Sequence, residues 1–578
     1  MSHISSDVGT ILQRWCDNAS KWPDSVAIVH CRMGETPRSW TWGELIRTAK
    51  LYSAALTKNG IEKGQVCAII ARHNALLYPV YVACVFAGAI PAVLAYPNPR
   101  LHPDKFRDGL EGMGRRSGLD WILTERALEG ALQPLLGSGR STIRGLQFPF
   151  EGSEYVEGVG FNGQREAVHT ACESDPLLLQ HSSGTTGLQK PVVLSHRAVL
   201  EHVIEYGKFL GISPQDKVVS WLPLYHDMGL IAALHLPLAL GIPTIQIDPF
   251  EWVLDPSLLL QAISANRATI AWLPNFAFSM MADKIREEDL ENIALDSWRM
   301  VINCSEPVRY DDQEKFFRRF APRGLRRDAL SSCYAMAETT FAVTQTPPWL
   351  EPTTLAVDVR SLSKGQVRPA ANGDAVRVCV SSGQPIPGCH IRIVDDECND
   401  LGDQHVGEVL IKSATMFDGY RNYPEKTAAA MRDGWYLSGD YGFKHGNEYF
   451  IIGRKKDVVI IAGNNIYPED LEAAIHGLAG VIPGRVVAFG EEDPQFGSER
   501  LSVVAETALT EEADRRKLRM EIIKAGMEID LTITNVYLVP PRFLVKSSAG
   551  KPSRSANKER VLRLRDQSNM TTQSGEMG

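Results

Sequence analysis

The sequence lacks the features that would assign it to several large protein classes. Its ten cysteines include no Cys-x-x-Cys pair, which argues against a disulfide framework or a zinc site and favours reduced thiols. With 61 basic and 69 acidic side chains the net charge is -8, so the basic surplus of a general nucleic-acid-binding protein is missing. The N-terminus has no basic segment followed by an apolar run, so no signal peptide is predicted. We therefore expect a cytoplasmic globular protein.

Long unbroken hydrophobic runs are also missing. Residues 78–97 come closest, because they carry no charge, but Gly88 and Pro91 divide them into a short apolar helix and a strand. The same pattern of helix, turn and strand recurs at 230–247. Two such units predict an α/β fold with buried parallel strands, and no membrane span.

The chain is long enough for two to four domains. The residue pattern changes near residue 453, from one typical of apolar helices and strands to one typical of charged turns and shorter elements. We predict a large N-terminal domain of several subdomains with parallel-rich sheets (1–452) and a small α+β C-terminal domain (453–565). Residues 566–578 have no hydrophobic pattern and are predicted to be disordered. The stretch 347–376 is long for a connection, and long connections are often functional.

One segment, SSGTTGLQK at 182–190, has the composition of a phosphate-binding loop and follows an apolar strand. Glycines let backbone N–H groups converge on an anion, hydroxyl groups add donors, and a lysine adds positive charge. An ordinary mobile turn is the alternative that this segment alone leaves open.

Five further motifs follow in order: WLPLYHDMGLI at 221–231, CYAMAETT at 333–340, YLSGD at 436–440, GRKKDVVIIAGNNIYPEDLE at 453–472 and KSSAGK at 546–551. With the loop, they resemble the adenylate-forming superfamily of acyl-CoA synthetases, adenylation domains and luciferases. PLYHDMGL, PNFAF and SEPV look most like the fatty acyl-AMP ligases within it. The resemblance extends from near the N-terminus to about residue 565.

This resemblance implies that a carboxylate and ATP form acyl-AMP and pyrophosphate. The loop would hold the β- and γ-phosphates through Ser182, Ser183, Gly184, Thr185, Thr186, Gly187 and Lys190. Tyr334 would stack on the adenine, with Glu306 near the adenine edge. Asp440 would accept the ribose hydroxyls, and Arg454 would help to hold the ribose.

The resemblance also implies a metal ion and a catalytic lysine. Glu338 would bind Mg²⁺, a hard cation that prefers carboxylate oxygen. Thr339 would reach the α-phosphate. Lys551 would bridge the substrate carboxylate and the α-phosphate as charge develops. Ala549 and Pro191 depart from the family pattern, which affects the expected hydrogen bonds of the two loops more than the lysines themselves.

The acyl group and the domain hinge have candidates too. His226 would lie beside the acyl pocket, oriented by Asp227, although a structural core histidine is the alternative. The apolar wall would include Met228, Trp272 and Phe276, which would otherwise be ordinary core residues. Lys456 occupies the superfamily's hinge position, about which the small domain moves between the two half-reactions.

Three functions follow as hypotheses. The first is an acyl-AMP ligase acting on an apolar, fatty acid-like carboxylate and passing the acyl group to the phosphopantetheine thiol of an acyl carrier protein. The second is an acyl-CoA ligase that uses free CoA. The third is an inactive binding module, against which the presence of Glu338, Asp440 and Lys551 together argues. Acyl-AMP ligases carry an insertion near 347–376 that would restrain the C-terminal domain, which favours the first.

Overall fold

The computed structural model describes residues 9–97, 103–136, 142–159, 169–182, 190–461, 464–493, 498–546 and 552–575. In chain order, its strands are β1 Val26–Cys31, β2 Arg38–Thr41, β3 Val66–Ile70, β4 Ile90–Val93, β5 Leu119–Thr124, β6 Gly145–Gln147, β7 Pro176–Ser182, β8 Lys190–Ser195, β9 Val218–Ser220, β10 Thr244–Ile247, β11 Ile270–Leu273, β12 Met300–Cys304, β13 Leu330–Ala335, β14 Ala342–Gln345, β15 Thr354–Asp358, β16 Val376–Val380, β17 Gln384–Pro385, β18 Cys389–Val394, β19 Gly407–Ser413, β20 Met431–Arg432, β21 Trp435–His445, β22 Glu448–Arg454, β23 Val459–Ile461, β24 Asn464–Ile466, β25 Val486–Asp493, β26 Ser498–Glu506 and β27 Ile533–Val539.

The α-helices are α1 Ile11–Lys21, α2 Trp42–Lys58, α3 Leu77–Phe86, α4 Pro103–Met113, α5 Glu129–Leu132, α6 His196–Phe209, α7 Leu236–Leu240, α8 Pro249–Leu254, α9 Ser257–Asn266, α10 Asn275–Lys284, α11 Tyr310–Phe320, α12 Val359–Ser363, α13 Pro424–Ala429, α14 Pro468–His476, α15 Glu512–Glu528 and α16 Arg554–Gly575. A π-helix, Met228–His235, precedes α7. Helix α3 is apolar and buried along its whole length, as expected for 78–97, and strand β4 follows it. No helix of the described ranges is long and apolar enough to cross a membrane.

The largest sheet has nine strands in the order β17-β14-β13-β12-β11-β9-β10-β1-β2. Its six central strands, β13 to β1 in that order, are parallel. The chain passes from β9 to β10 on one side and then returns to β11 on the other, so the strand order reverses between β9 and β11. Open α/β sheets bind ligands at the carboxyl ends of their strands beside such a reversal. The α/β prediction with parallel-rich sheets is confirmed.

Two smaller sheets and a hairpin accompany the nine-stranded sheet. Strands β4-β3-β5-β6 form a second parallel sheet, and β18-β19-β21-β20 form an antiparallel sheet in which β22 pairs with β21. The antiparallel hairpin β7–β8 brings Ser182 opposite Lys190, the two ends of the predicted phosphate loop. Strand β7 of this hairpin also contacts β4 of the second parallel sheet, and Val192 on β8 pairs with Tyr420.

The elements after residue 454 have a hydrophobic core of their own. Sheet β25-β26-β27 is covered by α14 and α15, with Leu471, Ile475 and Ile522 fully buried between them. A separate core is what an α+β domain beginning near residue 453 requires. The predicted disordered tail differs from the structure, in which helix α16 continues through 566–575. A helix satisfies its backbone hydrogen bonds within itself, so a segment without a hydrophobic pattern can still be helical.

Candidate active site

A carboxylate, a guanidinium and a phenol meet where the antiparallel sheet approaches β13. Asp440 on β21 lies directly opposite Arg454 on β22, and Arg454 Nε is 2.8 Å from Asp440 Oδ1. The Tyr334 hydroxyl, at the end of β13, donates to Asp440 Oδ2 at 2.5 Å. The charge of Asp440 raises the pKa of Arg454, and burial together with Asp440 raises that of Tyr334. Asp440 is 3% exposed, and each of its oxygens can accept a further hydrogen bond.

A second cluster includes Lys190, the last residue of the predicted phosphate loop. Tyr420 donates its hydroxyl hydrogen to Glu338 Oε1 at 2.7 Å, and Lys190 Nζ donates to the same Tyr420 oxygen at 3.2 Å. Lys190 also lies 4.7 Å from the centre of the Tyr420 ring. Burial lowers the pKa of Lys190, while Glu338 acts to raise it. We call these three residues the Lys190–Tyr420–Glu338 cluster.

The hinge candidate adds charge to this region. Burial lowers the pKa of Lys456; Asp457 opposes this, and Arg454 and Lys190 lower the pKa further. The charges of Lys190, Arg454 and Lys456 thus affect one another's pKa values. The carboxylates Glu338 and Asp440 contribute charge of the opposite sign to the same region. Positive charge gathered in this way is suited to a polyanionic ligand such as a triphosphate.

Thr339 is not presented to this site. It is completely buried, and its hydroxyl lies 3.1 Å from the carbonyl oxygens of both Met336 and Phe341. The next residue, Thr340, has φ +71° and donates to the carbonyl of Thr415 at 2.8 Å. The short turn of 337–339 therefore directs the Thr339 hydroxyl into the protein, and the expected contact with an α-phosphate is not supported by this geometry.

Of the acyl candidates, His226 and Met228 follow the carboxyl end of β9, Trp272 lies within β11, and Phe276 follows β11. His226 Nδ1 lies 3.1 Å from Asp227 Oδ1, and Met228 is buried 3.7 Å from the Ser305 hydroxyl. Gly229 is required here because an added Cβ would lie 2.3 Å from the Pro223 carbonyl oxygen. The start of the π-helix is thus held tightly against the loop that carries His226.

Phe276 and Glu306 are neighbours, as the parallel register of β11 and β12 predicts. The Glu306 carboxylate accepts from the Phe276 backbone N–H at 2.9 Å, in the first turn of α10 where a negative charge is favourable. Phe276 is 42% exposed and is edge-on to Trp221 and Trp252, whose rings stack 3.6 Å apart. Three aromatic rings therefore form one apolar wall.

Trp272, by contrast, belongs to the core. It is 1% exposed, and its indole N–H donates to the Tyr206 hydroxyl at 3.2 Å. Tyr206 in turn donates to Gln345 at 2.7 Å. The alternative that Trp272 is an ordinary core residue is the one that the packing favours.

Several predicted residues lie outside the described ranges: Ser183, Gly184, Thr185, Thr186, Gly187 and Lys551. Ser182 is the last residue of β7, and its backbone alone is described. On either side of 547–551, Lys546 pairs with Pro552. Arg554 then bonds to Glu469 at 3.0 Å, contacts Glu472, and lies 3.7 Å from Asp457 beside the hinge.

Comparison with known proteins now identifies the chain's family. The model of the AMP-binding enzyme family matches residues 15–421, which include the Lys190–Tyr420–Glu338 cluster and Tyr334. The chain belongs to the AMP-binding enzyme family. It is an adenylate-forming ligase, and the resemblance drawn from its motifs is confirmed.

Individual members of the family align over most of their length. The chain is 30% identical to the probable long-chain-fatty-acid–AMP ligase FadD30 of Mycobacterium tuberculosis, over 93% of this chain and 96% of that one. It is also 30% identical to the medium-chain-fatty-acid–[acyl-carrier-protein] ligase JamA of Moorena producens, over 84% and 85%. A fatty acyl-adenylate ligase from L. pneumophila, solved with acyl adenylate and pyrophosphate, is similar at a TM-score of 0.72 and 26% identity, with 96% of each chain covered.

Two features of this AMP-binding enzyme were not predicted from the sequence. Tyr420 is 230 residues from Lys190 and 82 from Glu338, and no spacing pattern links the three. Trp252 lies on α8, outside every motif, and meets Trp221 only because β9 and β10 are adjacent. The WLPLYHDMGLI motif did include Trp221, and an aromatic residue beside a candidate pocket is the signal that would have singled it out.

Proposed function

We propose that this enzyme converts an apolar, fatty acid-like carboxylate and ATP into acyl-AMP and pyrophosphate, and then transfers the acyl group to the phosphopantetheine thiol of a carrier protein. The observation that carries the proposal is the convergence of Asp440, Arg454 and Tyr334 with the Lys190–Tyr420–Glu338 cluster at one sheet edge. The first group is suited to a nucleoside and the second to its phosphates.

In the proposed first step, a carboxylate oxygen attacks the α-phosphorus and the bond to the bridging oxygen of pyrophosphate breaks. Both reactants are anions, so the enzyme must align them and balance their charge. Lys190 and Arg454 bring positive charge to the phosphates and the ribose. Asp440 offers two acceptor oxygens to the ribose hydroxyls. Lys551 is proposed, from its motif, to stabilise the charge that develops between the carboxylate and the α-phosphate.

Glu338 is proposed to hold Mg²⁺ together with the phosphates of ATP. In the described ranges, no group of three or more His, Cys, Asp or Glu side chains could hold a metal ion. The phosphates of ATP would therefore have to supply further ligands. Mg²⁺ is commonly held by one or two carboxylates together with substrate phosphates, and a single carboxylate 7% exposed fits that pattern. When bound, the ion supplies charge neutralisation on the phosphate oxygens.

The carrier protein is favoured as the acceptor by the contacts of 354–380. This segment forms the β15–β16 hairpin and helix α12, and its Val357, Leu362 and Cys379 are buried against Phe450 and other residues of the large domain. From this base it reaches the small domain, since Arg360 Nη2 lies 3.0 Å from Asp530 and Arg377 Nη1 lies 2.7 Å from Asp470. Such contacts would oppose rotation about Lys456, and so oppose the arrangement that accepts free CoA. JamA, a carrier-protein ligase by name, supports the same choice.

The proposal is tested by incubating the enzyme with ATP, Mg²⁺ and a panel of carboxylic acids, and by measuring pyrophosphate and acyl-AMP. A carrier protein bearing phosphopantetheine, or free CoA, is then added and the thioesters are identified by mass spectrometry. We expect acyl-carrier thioester to exceed acyl-CoA. Equal rates of acyl-CoA formation and pyrophosphate release would favour the acyl-CoA ligase instead, and no pyrophosphate with any acid would favour a binding module. Because the reaction consumes ATP, we propose that it takes place in the cytoplasm.

A further inference from the structure

Tyr420 occupies the position between two opposite charges that the proposed reaction must keep apart. Its hydroxyl oxygen accepts from Lys190 and its hydroxyl hydrogen goes to Glu338, so the phenol satisfies a cation and an anion at once. Tyr420 is 4% exposed, and Glu338 is 7% exposed. In such surroundings an ammonium and a carboxylate attract each other more strongly than in water.

The backbone, rather than the hydroxyl, determines where the Tyr420 ring lies. The Phe417 N–H donates to the carbonyl of Glu338 at 2.8 Å, and the Asp418 N–H donates to the carbonyl of Val193 on β8 at 3.0 Å. The Val193 N–H donates back to the carbonyl of Gly419 at 3.0 Å. Segment 417–421 is therefore bonded both to the turn that carries Glu338 and to the strand that begins at Lys190. Removal of the hydroxyl alone should leave the ring in place.

Without the hydroxyl, Glu338 keeps the Tyr436 phenol as a hydrogen-bonding neighbour, whose oxygen lies 3.4 Å from that of Tyr420. Lys190 loses its acceptor in the cluster, and the oppositely charged group of that cluster is Glu338. A flexible Lys side chain can move to form a direct ion pair with the carboxylate. That pair would occupy the Glu338 oxygens that Mg²⁺ needs and the ammonium that the phosphates need. A neutral phenol avoids this, because it holds each group with one hydrogen bond that a ligand can replace.

We propose that Tyr420 is a positioning residue that prevents direct pairing of Lys190 with Glu338, and so keeps the carboxylate available to Mg²⁺ and the ammonium available to phosphate. The inference rests on the proposed function, because it assumes that Glu338 holds the metal and that Lys190 meets the phosphates. It adds a role for a residue on a separate segment of the chain.

Binding measurements test the proposal without turnover. Calorimetry follows the affinity of the full-length protein for the non-hydrolysable analogue α,β-methylene-ATP as Mg²⁺ is varied, with AMP in EDTA as the metal-free reference. For Tyr420→Phe we expect the Mg²⁺ concentration at half-maximal analogue binding to rise about tenfold, the effect of competition from one partly buried ion pair. Affinity for AMP should stay within about twofold, which also reports that the variant is folded. Tyr423→Phe removes a nearby phenol that has no bond to Glu338 in the described ranges, and should leave both values unchanged.

A double-mutant cycle decides the mechanism. With Lys190→Met, no ammonium can capture Glu338, so adding Tyr420→Phe should produce no further rise in the Mg²⁺ midpoint. Lys190→Met alone should weaken analogue binding without raising that midpoint. An unchanged midpoint in Tyr420→Phe, or the same rise in the Lys190→Met background, would overturn the proposal. If the parent protein binds AMP but Mg²⁺ does not increase its affinity for the analogue, the proposed metal site is wrong. This inference then fails with it.

Discussion

Replacing Arg377 by methionine should release the small domain from the 354–380 segment. The Arg377 side chain is 17% exposed and Asp470 is 34% exposed, and their charged atoms are 2.7 Å apart. Arg377 also donates to the Ile452 carbonyl at 3.2 Å and lies 5.4 Å from the centre of the Tyr467 ring. Methionine retains most of the apolar stem and removes the charge and the donors.

The size of the effect follows from how far the pair is buried. Exposed ion pairs contribute about 0–1 kcal/mol, whereas breaking a fully buried pair costs about 3–5 kcal/mol. For this intermediate burial we expect the loss of about 2 kcal/mol from the domain arrangement that contains the pair. Since each 1.4 kcal/mol changes a population ratio about tenfold, the other arrangement should become about 30-fold more populated.

The assay compares acyl-CoA formation with pyrophosphate release in the same reaction, using an acid that the parent enzyme activates. Arg377→Met should raise acyl-CoA formation by about tenfold or more while pyrophosphate release stays within about twofold. Arg360→Met is the matched control: Arg360 and Asp530 are 77% and 42% exposed, so this pair should matter little and the change should be under about twofold. If the two variants behave alike, or if Arg377→Met leaves acyl-CoA formation unchanged, then this ion pair does not hold the domains and the reasoning fails.

Three further outcomes are expected. Asp440→Asn should weaken AMP binding by at least about tenfold in calorimetry, because the amide loses the charge that holds Arg454 and one of its acceptor oxygens; unchanged affinity would remove Asp440 from the ribose site. Lys551→Ala should lower acyl-AMP formation by about 10²–10³ with ATP affinity nearly intact, since the lysine is proposed to act on charge that develops in the transition state; a loss of only a few-fold in the pyrophosphate assay would contradict this. Phe276→Ala should raise KM for the preferred acid with a smaller change in kcat, as an apolar wall contributes mainly to binding; Leu254→Ala, an exposed site on α8, is the control, and identical kinetics of the two variants would exclude Phe276 from the acyl wall.

The sequence alone determined the features that depend on neighbouring residues. Apolar runs interrupted by glycine and proline indicated buried helices followed by parallel strands, because burial on all sides demands continuous hydrophobicity. The YLSGD and GRKKD motifs put Asp440 and Arg454 forward as ribose-binding residues, and the β21–β22 hairpin places them opposite each other within 15 residues of chain. Local motifs also signalled the family, since each keeps its own turn or strand chemistry wherever it lies in the fold.

Tertiary structure alone decided which distant side chains meet. Thr339 belongs to a recognisable motif, yet the turn it occupies directs its hydroxyl to backbone carbonyls. Trp272 has the right residue type for an acyl wall, but the position of Tyr206 gives its indole a buried partner instead. Tyr420 bridges Lys190 and Glu338 because a non-local segment pairs with β8. Sequence patterns report periodicity along one element, whereas the contacts of Trp272 and Tyr420 depend on how separate elements pack.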